Sequence, residues 1–241
     1  MTHILLPDIS DEPRKLIFYL AMEEYVAARI DELLPTTSEG AFFLWQSRPT
    51  VIIGKNQDLE AEVNVRWCET HGVEIFRRKS GGGCVYSDEG NLMISYVSRE
   101  HNARKAFADY LQRLVNILSA LGLPAVSSAH NDVLIGERKV SGNACLAAEK
   151  ATIVHGTLLW KSNMDDLMAA ITPSEAKLAK HAVQSVRQRV TNLYDLGITD
   201  LAVLQAHIIT NLSLPASLPA SLTLTPADIE HIEHIEQTYR L

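Results

Sequence analysis

Three consecutive glycines, Gly81 to Gly83, place the strongest local constraint on how this chain can fold. They lie between two apolar runs, residues 73–76 and 92–97, which are predicted to be buried strands. A backbone without Cβ atoms can adopt positive φ and approach a ligand closely, with successive N–H groups directed at an anion. The glycine loop is therefore a candidate anion-binding site.

Three cations and a hydroxyl precede the glycines: Arg77, Arg78, Lys79 and Ser80. These side chains add charge-assisted donors suited to a phosphate or a carboxylate. The spacing matches neither the Walker pattern nor the dinucleotide-binding fingerprint. A flexible glycine turn with a solvated basic rim stays open as the alternative.

Composition limits the class of protein. With 241 residues, 46% of them hydrophobic and 21% charged, the chain is predicted to form one principal globular domain. A net charge of -7 argues against general binding to nucleic acid. The sequence lacks a long apolar run and an export signal, so we expect no membrane association. Its three cysteines are an odd number without metal-ligand spacing, which favours a reducing compartment, the cytoplasm.

Hydrophobic periodicity predicts helices and strands in mixed order. A helix over 11–34 carries Leu16, Leu20, Glu23, Ala27, Ile30 and Leu34 near a 3.6-residue repeat. Further helices are predicted at 59–71, 103–121, 164–170, 173–181 and 203–212. Strands are predicted at 41–45, 50–53 and 133–135, followed by a hairpin presenting Lys139 and a strand over 151–160.

The end of the chain differs from the rest. Residues 214–222 repeat a proline-containing tetrad, which predicts a semi-extended linker, and one helix over 226–239 follows. We therefore divide the chain into a main domain, 1–212, and a segment 213–241 without a full accessory domain. His231 and His234 are predicted to lie on a solvated helix face rather than to bind metal.

Several motifs, taken together in this order, resemble the lipoate-protein ligases over about residues 15 to 195. The matching stretches are Trp45 with 51–57, 77–83, Asp88 with Gly90 and Asn91, 131–133, 138–144, 155–159 and 185–193. The resemblance implies an α/β (α+β) fold with a mixed sheet flanked by helices, like the catalytic domains of biotin and lipoate protein ligases. It also implies an enzyme that makes lipoyl-AMP from lipoate and ATP with Mg²⁺ and then transfers the lipoyl group to a protein lysine.

The resemblance further assigns roles to individual residues. Lys139 is the catalytic residue, holding phosphate and carbonyl oxygens while charge develops, and Asp132 is a candidate Mg²⁺ ligand. Trp45, Ile53 and Val140 are candidates for the walls of a lipoyl tunnel, with ordinary core packing as the alternative. The expected lipoyl-adenylate-binding residues are Arg78, Ser80, Gly81, Gly82, Gly83, Cys84, Val85, Asn131, Asp132, Lys139, Ser141, Gly142, His155 and Gly156.

The expected partners are lipoyl domains of 2-oxoacid dehydrogenase acyltransferase subunits and the glycine-cleavage carrier protein. Two departures from the family pattern stand out. Ser87 replaces a common histidine, and the small C-terminal domain of larger members is not expected here. Three possibilities stay open: adenylation by this chain alone, adenylation with an accessory subunit, and use of a preformed lipoyl adenylate.

Other functions are compatible with parts of the pattern. An octanoyl or lipoyl transferase would work through a cysteine thioester, but residues 127–131 contain no cysteine, and Cys84 and Cys145 are expected to be packing residues. A biotin ligase would carry a Gly-Arg-Gly-Arg type of loop, which is absent. A non-catalytic lipoate-binding module would keep the same pocket without turnover.

Overall fold

The computed structural model describes residues 1–7, 14–129, 131–171, 189–213 and 221–239. The helices are α1 Leu16–Ala28, α2 Ile30–Leu33, α3 Leu59–Glu62, α4 Val65–Thr70, α5 Ala103–Ala120, α6 Met164–Ala170, α7 Leu201–Leu212 and α8 Pro226–Glu236, with a 3-10 turn at Tyr194–Leu196. The strands are β1 Thr2–Leu5, β2 Gly40–Trp45, β3 Thr50–Ile53, β4 Glu74–Arg77, β5 Val85–Ser87, β6 Asn91–Ser98, β7 Ala125–Ser127, β8 Asp132–Ile135, β9 Arg138–Ala147, β10 Thr152–Leu159 and β11 Ser221–Thr223.

Eight strands form one mixed sheet in the order β11-β1-β2-β6-β10-β9-β8-β7. The pairs of β1 with β2 and β11 are parallel, and the remaining pairs are antiparallel. A second sheet, β4-β3-β5, is also mixed. The predicted α/β fold with a mixed sheet is confirmed.

Helices cover both faces of the large sheet because side chains alternate along its central strands. On β6, Met93 and Val97 face the core formed with α1 and α8, whereas Ile94 and Tyr96 face the core formed with α5 and α7. Every residue of β6 and β10 is buried. These two strands therefore form the rigid centre on which the candidate site is built.

Some boundaries differ from the predictions. The predicted helix over 59–71 is two helices, because Asn64 caps α4 by accepting a hydrogen bond from the backbone N–H of Trp67. The first long helix breaks at Arg29, between α1 and α2. Strands β1, β5 and β7 lack a clear pattern in the sequence and form through pairing with neighbours. The predicted helix over 173–181 lies outside the described residues.

The described part of the C-terminal segment joins the main body of the protein. Ser221–Thr223 pairs with β1, so a linker interpretation is wrong for residues 221–222, while 214–220 lie outside the described residues. Ile229 and Ile232 of α8 are buried against α1. The division at residue 212 stays a prediction. In the described ranges, no helix is both long enough and apolar enough to span a membrane.

Candidate active site

Arg78 organises the glycine loop that follows β4. The residue is 6% exposed, and its guanidinium donates to the carbonyl oxygens of Gly81 (2.7 Å from Nη2), Gly83 (2.8 Å) and Ile52 (3.3 Å). Burial lowers the pKa of Arg78 to about 10, so it stays charged at neutral pH. Gly82 has a φ of 97°, and a Cβ atom there would lie 2.8 Å from Nη2 of Arg78, which explains the need for glycine.

The cations on either side of Arg78 bind other parts of the protein. Arg77 donates to the carbonyl oxygens of Gly54 (3.0 Å) and Gln57 (2.8 Å). Lys79 forms an ion pair with Glu24 at 2.8 Å and lies over the ring of Tyr239. The expectation that all three cations offer donors to a ligand is therefore wrong for Arg77 and Lys79, whose contacts hold the loop in place instead.

A β-bulge directs Lys139 into the cleft. Between β8 and β9, Val133 pairs with Ser141 and Leu134 pairs with Lys139, so Val140 is the additional residue. The bulge puts Lys139 and Gly142 on one face of β9 and Ser141 on the other. Ser141 is fully buried and donates to Oδ1 of Asn143, so its expected contact with a ligand is not supported by its position.

Lys139 crosses directly over Gly142. A Cβ atom at position 142 would lie 2.6 Å from Nζ and 2.7 Å from Cε of Lys139. Nζ forms an ion pair with Oδ1 of Asp132 at 2.8 Å, and the two side chains are 36% and 25% exposed. The ammonium is thus held at one place in the cleft while staying accessible.

Two cavities meet at Lys139. The larger, of about 470 Å³, extends toward Tyr86, Asn91 and Arg189. The smaller, of about 280 Å³, extends toward Leu20, Ile52, Met93 and His155. Seven residues line both cavities: Gly83, Cys84, Val85, Asp132, Lys139, Gly142 and Thr157. The arrangement places the ammonium of Lys139 at the junction of two spaces of different size, each lined by both polar and apolar residues.

Most of the predicted binding residues line this cleft. Arg78, Gly82, Asn131, His155 and Gly156 line the smaller cavity, in addition to the predicted members of the shared set. Ser80 and Gly81 line neither cavity, and Ser80 instead lies behind the wall, where its Oγ contacts His155 and Arg78. Asn131 has a φ of 68°, and its carbonyl oxygen accepts a hydrogen bond from Asn143.

The three predicted tunnel residues lie in the core instead. Trp45 stacks on Tyr19, and Ile53 and Val140 are fully inaccessible. None of the three lines either cavity in the described structure. Leu20, Ile52 and Met93 form the apolar wall in their place, so the ordinary core interpretation accounts for Trp45, Ile53 and Val140.

Sequence reasoning missed a buried chain of polar groups behind the smaller cavity. Oε2 of Glu23 lies 2.9 Å from Nδ1 of His155, whose Nε2 lies 2.8 Å from Oγ of Ser80. Glu23 also accepts a hydrogen bond of 2.5 Å from Ser95, which in turn accepts one from Trp45. The sequence contained one sign of this chain: Glu23 interrupts the apolar stripe of the first helix. An unpaired carboxylate would be costly to bury there, so its position predicts a buried hydrogen-bonding partner.

Two further residues of the glycine-loop region have distinct surroundings. Ser87 is fully buried and its Oγ lies 2.9 Å from Oγ of Ser47, so it does not supply a contact in either cavity. Asn91 lines the larger cavity, and within the described residues its buried Oδ1 has no hydrogen-bond partner. Such an orphaned acceptor is rare in proteins and points to a missing donor or cation.

Residues 16–209 match the family model of the lipoyl protein ligase A/B catalytic domain. The chain belongs to this family, as its motifs predict. Lipoate–protein ligase 1 of Staphylococcus aureus is 33% identical over 218 residues, which is 90% of this chain and 65% of the relative. Lipoate-protein ligase LplJ of Bacillus subtilis is 35% identical over 179 residues, 72% of this chain and 51% of the relative. The chain thus spans between about half and two thirds of the length of these relatives.

Solved structures agree with this assignment. A bi-partite lipoate protein ligase described with its E2 lipoyl domain, from Thermoplasma acidophilum, has a TM-score of 0.82 and 26% identity, covering 98% of this chain and 92% of that one. A lipoate-protein ligase A bound with ATP has a TM-score of 0.80 and 25% identity, covering 98% and 94%. The fold is that of the lipoate-protein ligase catalytic domain.

Proposed function

We propose that this chain ligates lipoate to protein lysines in two steps. In the first, a lipoate carboxylate oxygen bonds to the α-phosphorus of ATP and pyrophosphate leaves. In the second, a lysine amine bonds to the carbonyl carbon of lipoyl-AMP, AMP leaves, and the amine loses a proton. The curated relatives carry the name of this activity.

The observation that carries the proposal is the position of Lys139 at the junction of the two cavities. We assign the nucleotide to the larger cavity by its size and by the polar groups of Asn91, Asp132 and Arg189, and the acyl chain to the smaller cavity, where Leu20, Ile52 and Met93 form an apolar wall. Their junction is where the carboxylate and the α-phosphate would meet. An ammonium at this point stabilises the negative charge that develops on phosphate and carbonyl oxygens in both steps.

The glycine loop contributes by its shape. Gly83 and the two residues after it line both cavities. Arg78 donates hydrogen bonds to the carbonyl oxygens of Gly81 and Gly83, so these oxygens point toward its guanidinium. We infer that the loop's N–H groups bind the adenylate, since carbonyl oxygens facing an anion would repel it.

The donor set fits a magnesium ion held mainly by substrate phosphates. Within the described residues, no cluster of three or more histidine, cysteine, aspartate or glutamate side chains could hold a metal alone. Asp132 and Asn91 nevertheless both line the larger cavity, and the buried Oδ1 of Asn91 has no hydrogen-bond partner among the described residues. Mg²⁺ favours one or two carboxylates plus phosphate oxygens, and Asp132 would supply the carboxylate. When bound there, it would neutralise phosphate charge.

We propose lipoyl domains as the acceptors, both those of 2-oxoacid dehydrogenase acyltransferase subunits and the glycine-cleavage carrier protein. The structural neighbour described with an E2 lipoyl domain supports the first group. That neighbour is bi-partite, which supports an accessory subunit for adenylation. A cytoplasmic location is consistent with three cysteines that form no disulfide in the described residues.

The test is modification of a purified apo lipoyl domain, followed by intact mass spectrometry. One reaction contains lipoate, ATP and Mg²⁺, and another contains synthetic lipoyl-AMP. Each is repeated with Lys139→Ala and with Lys150→Ala, an exposed lysine beyond β9 that serves as the matched control. We expect a lipoyl mass gain with the wild type and Lys150→Ala, and at least a hundredfold slower gain with Lys139→Ala.

The two reactions separate the alternatives. A gain only with lipoyl-AMP would show a transferase that depends on a second component for adenylation. No gain in either reaction, with lipoate still bound in calorimetry, would replace the ligase by a lipoate-binding module.

A further inference from the structure

The imidazole of His155 is bound on both nitrogens by buried side chains. Nδ1 lies 2.9 Å from Oε2 of Glu23, and Nε2 lies 2.8 Å from Oγ of Ser80. Glu23, His155 and Ser80 are 2%, 9% and 2% exposed. His155 nevertheless lines the smaller cavity. Its hydrogen bonds are therefore directed into the protein, while part of the ring faces the cleft.

Donor and acceptor counting selects one tautomer. Nε of Arg78 donates to Oγ of Ser80 at 3.1 Å, which leaves the Ser80 hydroxyl hydrogen for Nε2 of His155. The ring proton then resides on Nδ1 and is donated to Glu23. A doubly protonated ring would place two cations on one hydroxyl oxygen, and the Ser80 hydrogen would need another buried acceptor.

We propose that Glu23 is a positioning residue that keeps His155 in the Nδ1–H tautomer. With both nitrogens occupied, the imidazole presents carbon atoms to the smaller cavity, continuous with the apolar wall of Leu20, Ile52 and Met93. Glu23 thereby makes a titratable side chain act as an apolar surface for the acyl chain. This assignment of the cavity rests on the proposed function, whereas the tautomer does not.

The decisive variant is Glu23→Gln. Ser95 donates to one carboxylate oxygen of Glu23 and His155 to the other. Glutamine has a single oxygen, so Ser95 and His155 compete for it, and the amide NH₂ favours a His155 that accepts at Nδ1. Long-range ¹⁵N–¹H correlation spectra of the labelled protein report the tautomer, with the His155 signals assigned by their loss in His155→Gln.

We expect Nδ1–H in the wild type and a populated Nε2–H form in Glu23→Gln. The KM for lipoate should rise about tenfold, because the Nε2–H form leaves the buried Ser80 hydroxyl hydrogen without its acceptor beside the smaller cavity, while the KM for ATP changes less than twofold. The control is Glu32→Gln, which removes an exposed carboxylate paired with Arg29 and should leave the tautomer and both KM values unchanged. Should Glu23→Gln not fold, Ser80→Ala frees Nε2 and should keep Nδ1–H.

A wild-type ring that carries its proton on Nε2, or on both nitrogens, would overturn the proposal. So would an unchanged tautomer in Glu23→Gln, or a rise in the KM for ATP equal to that for lipoate. An absence of turnover in the wild type with every acyl donor would refute the proposed function instead, and the spectra would still decide the role of Glu23.

Discussion

Nζ of Lys139 lies where a side chain at position 142 would begin: a Cβ atom built on Gly142 falls 2.6 Å from it. The two residues share one face of β9 because Val140 is bulged out of the pairing with β8. Position 142 therefore has to be glycine for the lysine to reach Asp132, 2.8 Å away.

Gly142→Ala should displace Lys139 without unfolding the protein. The obstructed atoms belong to the end of a flexible side chain, so the free energy of unfolding should change by less than about 1 kcal/mol. Pyrophosphate release should slow by roughly a hundredfold, because small displacements of a catalytic group have effects of that size. In a Lys139→Ala background, Gly142→Ala should not weaken lipoyl-AMP binding in calorimetry. A further loss there would contradict the displacement of Lys139 as the cause.

Arg78→Met should destabilise the protein, since it leaves the carbonyl oxygens of Gly81 and Gly83 without their donor. We expect a decrease of about 2–4 kcal/mol in the free energy of unfolding from urea titration. Arg104→Met, at an exposed position of α5, is the matched control and should be neutral within about 0.5 kcal/mol. Equal losses in both variants would show that Arg78 does not hold the loop.

Stability should fall above pH 10 because buried tyrosines stay neutral in the folded state. Burial and a hydrogen bond to Glu24 raise the pKa of Tyr239, and burial is the main cause that raises that of Tyr25 to about 12. Each tyrosine contributes stability that is complete below its unfolded pKa of 10 and decreases by about 1.4 kcal/mol per pH unit above it. Urea titrations from pH 8 to 11 should show this slope, and Tyr239→Phe should reduce it. An unchanged slope would contradict the prediction.

Cys84→Ser and Cys145→Ser should each retain activity within about twofold, because an activated acyl group needs no thiol nucleophile. The pKa of the Cys145 thiol is raised by burial, which disfavours its nucleophilic thiolate, whereas Cys84 lines both cavities and is the stricter test. Intact mass spectrometry during turnover should show no acyl-enzyme. A thioester that disappears in Cys84→Ser would favour the transferase alternative.

Local sequence patterns predicted the parts of the fold that depend on neighbouring residues. The apolar run over 92–97 and the 3.6-residue repeat over 103–121 correspond to β6 and α5. The ordered motifs also brought the glycine loop and Lys139 to one cleft. Such features follow from backbone geometry and hydrophobic periodicity, which act over a few residues.

The failures share a physical cause. Strand alternation would place Ser141 on the same face as Lys139, but the bulge at Val140 reverses the order and brings Gly142 there instead. Trp45 and Ile53 are large apolar residues of the kind that line ligand cavities, yet both pack in the core. The cavity wall is formed instead by Leu20 and Met93, which come from elements far apart in the chain. Which face of the sheet a strand residue occupies depends on the register with the neighbouring strand, and a local sequence pattern does not contain that register.

The sequence by itself determined the family, the long helices and central strands, and the groups available for the proposed acyl-adenylate chemistry. Only the tertiary structure decided how these groups are used. Arg78 is committed to loop carbonyls, and Glu23 is paired with His155 across 132 positions of the chain. Both outcomes follow from burial: a buried charge takes whichever partner the fold brings within reach, and that partner is set by packing rather than by sequence distance.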